Sequence, residues 1–265
     1  MGAAGVLETL LSMYAIEDHT IPGTKGYAER GVSGHLNLTS QHSSTEKNSF
    51  VKLISGFGGC NAAIYAVRGS ENQPEQETPS LKSLHRVEIT PDSIILDGEK
   101  LDVEGHCKSL LSYVYKNKIG GYPKFHKMDL LCKLGFIASE LLIEAEGDER
   151  FTTHTDRGVI LLNKTSSIVA DKEYQESIRE EDNYYPSPSS FVYTLPNIVT
   201  GEIALRNHYH GETSFYILPE YDEKRINQVL TIAFRDPQLE SIIGGWIDCE
   251  SDQEFYVNLE LIVKQ

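Results

Sequence analysis

Positive charge is scarce in this sequence. Only 24 Lys and Arg stand against 39 Asp and Glu, a formal net charge of −15. Without a basic patch to offset that repulsion, nucleic acid and anionic membrane surfaces are excluded as partners. Long apolar runs are also missing. None approaches the ~20 residues that a bilayer-spanning helix needs. The first residues carry neither the charged nor the apolar region of a signal peptide. Cysteine is sparse, and Cys60, Cys107, Cys132 and Cys249 show no C-x-x-C spacing. The thiols therefore read as reduced, in a cytoplasmic protein, with no metal and no cofactor expected. The chain of 265 residues is long enough for one large domain or two small ones with a proper core.

The most informative stretch is residues 187–206, Ser-Pro-Ser-Ser-Phe-Val-Tyr-Thr-Leu-Pro-Asn-Ile-Val-Thr-Gly-Glu-Ile-Ala-Leu-Arg. Pro196 forbids a continuous helix through its middle. Asn197 has the chemistry to cap a helix beginning near Ile198. Ile198, Gly201 and Leu205 then recur at helical spacing and predict one buried face. The small Thr200, Gly201 and Ala204 predict close approach of another backbone.

This order and spacing resembles the motif that precedes the nucleophilic cysteine in beta-ketoacyl-ACP synthases, the ketosynthases of the thiolase superfamily. The resemblance places Pro196, Asn197, Gly201, Glu202 and Arg206 at a dimer interface. Two further segments resemble the same family. Residues 2–8, Gly-Ala-Ala-Gly-Val-Leu-Glu, are similar to its "GAAG-x-E" helix, with Leu7, Leu10, Leu11 and Tyr14 on one face. Residues 55–63, Ser-Gly-Phe-Gly-Gly-Cys-Asn-Ala-Ala, are similar to its C-terminal "GFGG-x-NAA" signature. By resemblance, Phe57, Gly58 and Gly59 form an oxyanion-hole-like loop, in which backbone N–H groups stabilise charge that appears in the transition state. Cys60 stands where the family has a small residue, and nothing near it in sequence would lower its pKa.

Along the chain, strands are expected at residues 35–38, 48–54 and around Tyr65 and Val67. An acidic, proline-bearing linker follows at 69–83. Beyond it, residues 86–90 and 93–96 predict strands, and Leu130, Leu134, Ile137 and Leu141 mark one stripe of a helix opening near Lys124. Residues 158–163 are a short apolar run of the buried parallel kind. Residues 211–218 predict a strand and 222–234 a helix, with Ile226, Val229, Leu230, Ala233 and Phe234 at amphipathic spacing. Residues 242–248 and the alternating Phe255, Val257, Leu259, Leu261 and Val263 predict two last strands. His208 and His210 are expected to end the helix that carries Arg206, where an imidazole is favourable.

The residues that resemblance would make catalytic are missing. Between the strand at 211–218 and the helix at 222–234 stands Pro219-Glu220-Tyr221, with neither cysteine nor serine. A desolvated carboxylate at Glu220 would be costly. The "H-GT-T" loop is absent, and Met1 stands where the family's Gly-His pair supplies the other catalytic histidine.

The order is permuted. Residues 1–68 resemble the end of a ketosynthase, 69–83 form the linker, and 84–265 resemble the family's N-terminal half. The expected fold class is α/β, a partial and permuted thiolase-like α-β-α layering. In one arrangement the first piece completes the sheet of the second. In the other, the chain begins inside a domain of a longer fusion. The resemblance implies a catalytically incomplete partner of a condensing enzyme in fatty-acid or polyketide biosynthesis. Its partner would be a ketosynthase-like protein in a homo- or heterodimer, with an acyl carrier protein as a further partner. Two alternatives stay open: a piece of an active 3-oxoacyl-ACP synthase whose Cys and His lie elsewhere, and an acyl or carrier-protein binding module.

Overall fold

The structure, a computed structural model, describes residues 4–55, 61–69, 79–147, 151–180 and 185–265. The chain divides into two compact units, Met1–Gln76 and Glu77–Gln265.

In the first unit, α1 (Ala4–Glu17) precedes two small antiparallel sheets. One pairs β1 (Thr20–Ile21) with β2 (Ser43–Ser44), the other β3 (Ser49–Ser55) with β4 (Asn61–Val67). The helix runs close to β3: a Cβ on Gly5 would come 2.8 Å from Ile54 Cδ1. Leu7, Leu10, Leu11 and Tyr14 of α1 are nevertheless exposed, as are Val51, Leu53, Ile64 and Tyr65 of the hairpin. A two-stranded hairpin and one helix offer too little surface to cover each other. The strand expected at residues 35–38 does not form. Leu36 and Leu38 are exposed, and among the described residues no strand pairs with this segment to supply a ladder.

The second unit is built on a seven-stranded mixed sheet. Its strands are β5 (Leu81–Thr90), β6 (Ser93–Leu96), β7 (Glu99–Lys100), β8 (Arg157–Asn163), β9 (Thr213–Ile217), β10 (Ser241–Ser251) and β11 (Glu254–Lys264). Their order is β7-β6-β5-β11-β10-β8-β9. All seven come from this unit. The first 68 residues, one expected source of strands, instead pair β3 with β4. β5 begins at Leu81, within the stretch read as linker. β8 is buried at all seven positions and runs parallel to both its neighbours, β10 and β9. That double coverage is why its sequence is an unbroken apolar run.

Among the described residues this unit has six α-helices, α2 (Lys108–Val114), α3 (Leu130–Glu146), α4 (Ile168–Ser177), α5 (Pro188–Val192), α6 (Ile198–Asn207) and α7 (Glu223–Ala233), of which α3, α4, α6 and α7 lie against the sheet. Strand side chains alternate between faces and so sort the core in two. Val159, Leu161, Ile243, Ile247 and Leu259 pack with Leu134 and Ile137 of α3 and Val199 and Ile203 of α6. Ile160, Leu162, Ile242 and Trp246 pack with Ile226 and Leu230 of α7 on the other side. The result is the expected α-β-α layering.

α3 opens at Leu130, later than the sequence implied. Residues Pro123–Lys127 form a tight 3-10 turn, Met128 is extended, and the Asp129 side chain caps α3 by accepting from the Cys132 N–H at 3.0 Å. Several glycines are required by space, Gly135 and Gly245 among them. A Cβ on Gly135 of α3 would sit 2.3 Å from Val199 Cγ2 on α6. Gly245 has φ +138°, and a Cβ there would lie 2.3 Å from the Asn258 carbonyl oxygen.

Candidate functional site

The candidate site gathers three neighbours in the second unit: α6, the edge strand β9, and the turn from β9 into α7. No continuous helix runs through Pro196: α5 ends at Val192 and α6 starts at Ile198. Asn197 stands at the cap position, but its backbone is already helical (φ −73°, ψ −4°), and its side chain makes no capping hydrogen bond. The buried face also differs from the expected one. Val199, Thr200, Glu202, Ile203, Ala204 and Asn207 are buried, whereas Leu205 is 69% exposed and a Cβ on Gly201 would meet open space. The close approach that was expected at Gly201 is made by Gly135, from the α3 side.

Glu202 and Arg206 turn into their own chain. Glu202 is buried, and Lys124 Nζ reaches its Oε1 at 2.7 Å. That hydrogen bond is the main reason the Lys124 amine is held above its ordinary pKa. Arg206 Nε lies 3.5 Å from Glu140 Oε1, with the two side chains 14% and 1% exposed. The guanidinium also sits over the rings of Phe151 and Tyr122, 4.6 and 4.9 Å from their centroids. Sequence reasoning singled out Glu202 and Arg206 but missed Lys124 and Glu140. Both partners lie some 70 residues away, and no local pattern announces such pairs. His208 caps the C-terminus of α6 in the left-handed conformation, φ 58°. Phe57, Gly58 and Gly59, the oxyanion-hole-like loop, and Cys60 lie outside the described residues.

The β9–α7 turn holds residues 218–222. Asp222 caps α7, accepting from the Arg225 N–H at 3.1 Å, so a carboxylate occupies the positive end of this helix. Glu220 is exposed and escapes the desolvation that a buried position would impose. Tyr221 meets the Trp246 ring edge-on at 5.4 Å and the Tyr256 ring at 6.2 Å. Its hydroxyl accepts from Asn258 Nδ2 at 3.3 Å. The thiols that are described are poor nucleophiles. Burial raises the pKa of Cys107, raises that of Cys132 well above its usual value, and pushes Cys249 up to about 12. Among the described residues no group of His, Cys, Asp and Glu is placed to hold a metal ion, and no helix is long and apolar enough to cross a membrane.

A solved structure, the ishigamide ketosynthase/chain length factor, superposes with a TM-score of 0.51 over 69% of this chain and 62% of its own, at 13% identity. The chain has a ketosynthase-like fold. It spans less than two thirds of that protein's length. A second structure, the ketosynthase ApeO in complex with its chain length factor ApeC from Xenorhabdus doucetiae, gives a TM-score of 0.45 at 8% identity, over 72% of this chain and 80% of that one. No protein-family model and no curated protein sequence matches the chain. In the ketosynthase-like frame, the turn after β9 is where the sequence resemblance expects a nucleophile, and Pro219, Glu220 and Tyr221 stand there.

Proposed function

We propose that this chain is a catalytically incomplete ketosynthase-like protein that acts as partner subunit or domain of a condensing enzyme. The observation that carries the reading is the β9–α7 turn. In a ketosynthase-like fold it presents Tyr221, engaged with Trp246, Tyr256 and Asn258, and no thiol. Attack on an acyl group needs a nucleophile there with an activating neighbour, and Asp222 already takes the end of α7 that would favour a thiolate. The ketosynthase/chain length factor likeness supports a paired arrangement, in which this chain shapes the acyl site of its partner. Fatty-acid or polyketide assembly in the cytoplasm is the setting this implies. On the proposed organisation, residues 1–68 derive from the end of a ketosynthase, 69–83 link, and 84–265 form the ketosynthase-like body.

With Glu202 and Arg206 held inward, contact with the partner at α6 falls to Asn197, Gly201 and Leu205. Edge strand β9 adds Tyr216 and Ile217, 41% and 50% exposed. An unpaired strand edge beside apolar side chains is a template for another chain.

The signature at residues 55–63 favours one second reading. In it, Phe57, Gly58 and Gly59 serve a synthase whose Cys and His lie outside this chain. A malonyl-ACP condensation assay on the chain alone separates the two. No product is expected, whereas carbon–carbon bond formation would refute the partner role. Size-exclusion chromatography with a ketosynthase from the same source should give a joint peak. Binding of acyl carrier protein without any ketosynthase would instead favour a free-standing binding module.

A further inference from the structure

The acid surplus of the chain reverses over residues 105–139. They hold Lys108, Lys116, Lys118, Lys124, Lys127 and Lys133 against a single acid, Asp129. The fold gathers much of this charge into one lobe beside α6. Residues Tyr115–Ile119 form a π-helical turn that continues α2. Gly120 and Gly121, both at positive φ, lead from it into the 3-10 turn of Pro123–Lys127. The two turns are clamped together. The buried rings of Tyr115 and Phe125 stack 4.1 Å apart, and the Tyr115 hydroxyl accepts from the Tyr122 N–H at 2.9 Å. Lys116 and Lys118 stand on one arm and Lys124, His126 and Lys127 on the other, all of them exposed.

The lobe keeps a positive surplus because the acids beside it are engaged. Asp129 caps α3, and Glu202 holds Lys124. Glu173 lines a cleft together with Lys127, which leaves the surplus centred on Lys116 and Lys118. Neither of these two has an ion pair among the described residues. The lobe's permanent charges are all lysine, compact point charges without the planar fork that clasps a phosphate. Such a surface suits carboxylates spread over a protein face. A long polyanion would instead run on into the acidic remainder of the chain. The lobe also adjoins the proposed contact face. Lys124 pairs with Glu202 of α6, Arg206 of α6 lies over the Tyr122 ring, and Leu205 beside them is exposed.

We infer that the lobe centred on Lys116 and Lys118 docks an acidic protein face. Resting on the partner reading above, that face is the rim of the condensing partner seated at α6. Complementary charge at the edge of an interface steers the encounter and fixes its register.

Two measurements on the full chain test this. Isothermal titration with a ketosynthase from the same source is the first. The double variant Lys116→Glu, Lys118→Glu should weaken the complex about ten-fold or more. The native affinity should fall as salt rises from about 0.01 M to about 0.15 M, because the screening length shrinks from ~30 Å to ~8 Å. Lys100→Glu with Lys224→Glu, exposed positions outside the lobe, should change little. Thermal melts confirm that each variant is folded. A folded Lys116→Glu, Lys118→Glu chain that binds the ketosynthase as the native chain does would overturn the inference and leave the partner reading intact. Absence of any complex with the native chain would overturn the partner reading, and the second measurement then decides the lobe. It follows the anisotropy of fluorescein-labelled poly-L-glutamate at about 0.01 M salt. Saturable binding that is lost in Lys116→Glu, Lys118→Glu supports docking of an acidic chain. No binding, an equal loss in Lys100→Glu with Lys224→Glu, or tighter binding of a DNA duplex would overturn it.

Discussion

Tyr221 stands edge-on to Trp246, the ring centroids 5.4 Å apart and the planes at 85°. The pair ties the β9–α7 turn down onto β10, with Asn258 of β11 donating to the tyrosine hydroxyl at 3.3 Å. Trp246 is the chain's one tryptophan, so its emission reports on the turn directly. Tyr221→Leu should shift Trp246 fluorescence and cost about 0.5–1.5 kcal/mol from the lost aromatic contact. Unchanged emission in a folded variant would mean that the turn is not anchored through this ring.

Gly135→Ala places a methyl 2.3 Å from Val199 Cγ2. Overpacking at such a contact costs about 1–3 kcal/mol, read as a lower urea midpoint. Val199→Ala removes the obstructing methyls, and the double variant should recover part of the loss. A strictly additive cycle would place the strain elsewhere.

Arg206→Ala removes the guanidinium that faces the Glu140 carboxylate, whose side chain is 1% exposed. Breaking a buried pair from one side costs about 3–5 kcal/mol. Lys124→Ala should cost less, because the Lys124 side chain is 45% exposed. Denaturant melts that rank the two in the opposite order would show that α6 is held by its Glu202 end.

Leu205→Asp should leave the melt within about 0.5 kcal/mol of the native chain, since the residue is a surface position, 69% exposed. The same variant should lose co-elution with a ketosynthase partner. A partner complex that survives this charge would remove α6 from the interface.

Stability should fall at alkaline pH. Cys249 is raised from 9.0 to about 12 and Tyr193 from 10.0 to about 12, both chiefly by burial. Each group is neutral in the folded chain over a range in which the unfolded chain has lost the proton. Their contribution is complete below the unfolded values and is lost as pH climbs through the folded ones. Urea melts at successive pH values from 9 upward should show a steady decline, and a flat profile would contradict it.

Much of this was legible in the residues. The amphipathic spacing of Ile226 and Leu230 gave α7, although Asp222, read as its first residue, turned out to be its cap. The unbroken run at residues 158–163 gave the buried strand β8, because parallel neighbours on both edges and helices on both faces leave no polar side. Alternation in β11 gave the last strand. Partners distant in sequence were not legible. Lys124 finds Glu202, and Glu140 finds Arg206, only because α3 and α6 pack on one face of the sheet.

The sequence by itself determined the strands β8, β10 and β11, the helix α7 and the absence of cysteine and serine from residues 219–221, while the α-β-α class came through the resemblance to ketosynthases. Hydrophobic period and capping chemistry are local properties, written within a few residues. Tertiary structure alone decided which face of α6 is buried. Helical spacing admits either Ile198–Gly201–Leu205 or Val199–Ile203 as the inner stripe. The fit of Val199 against Gly135, together with the ion pairs of Glu202 and Arg206, selects the second and leaves Leu205 in solvent.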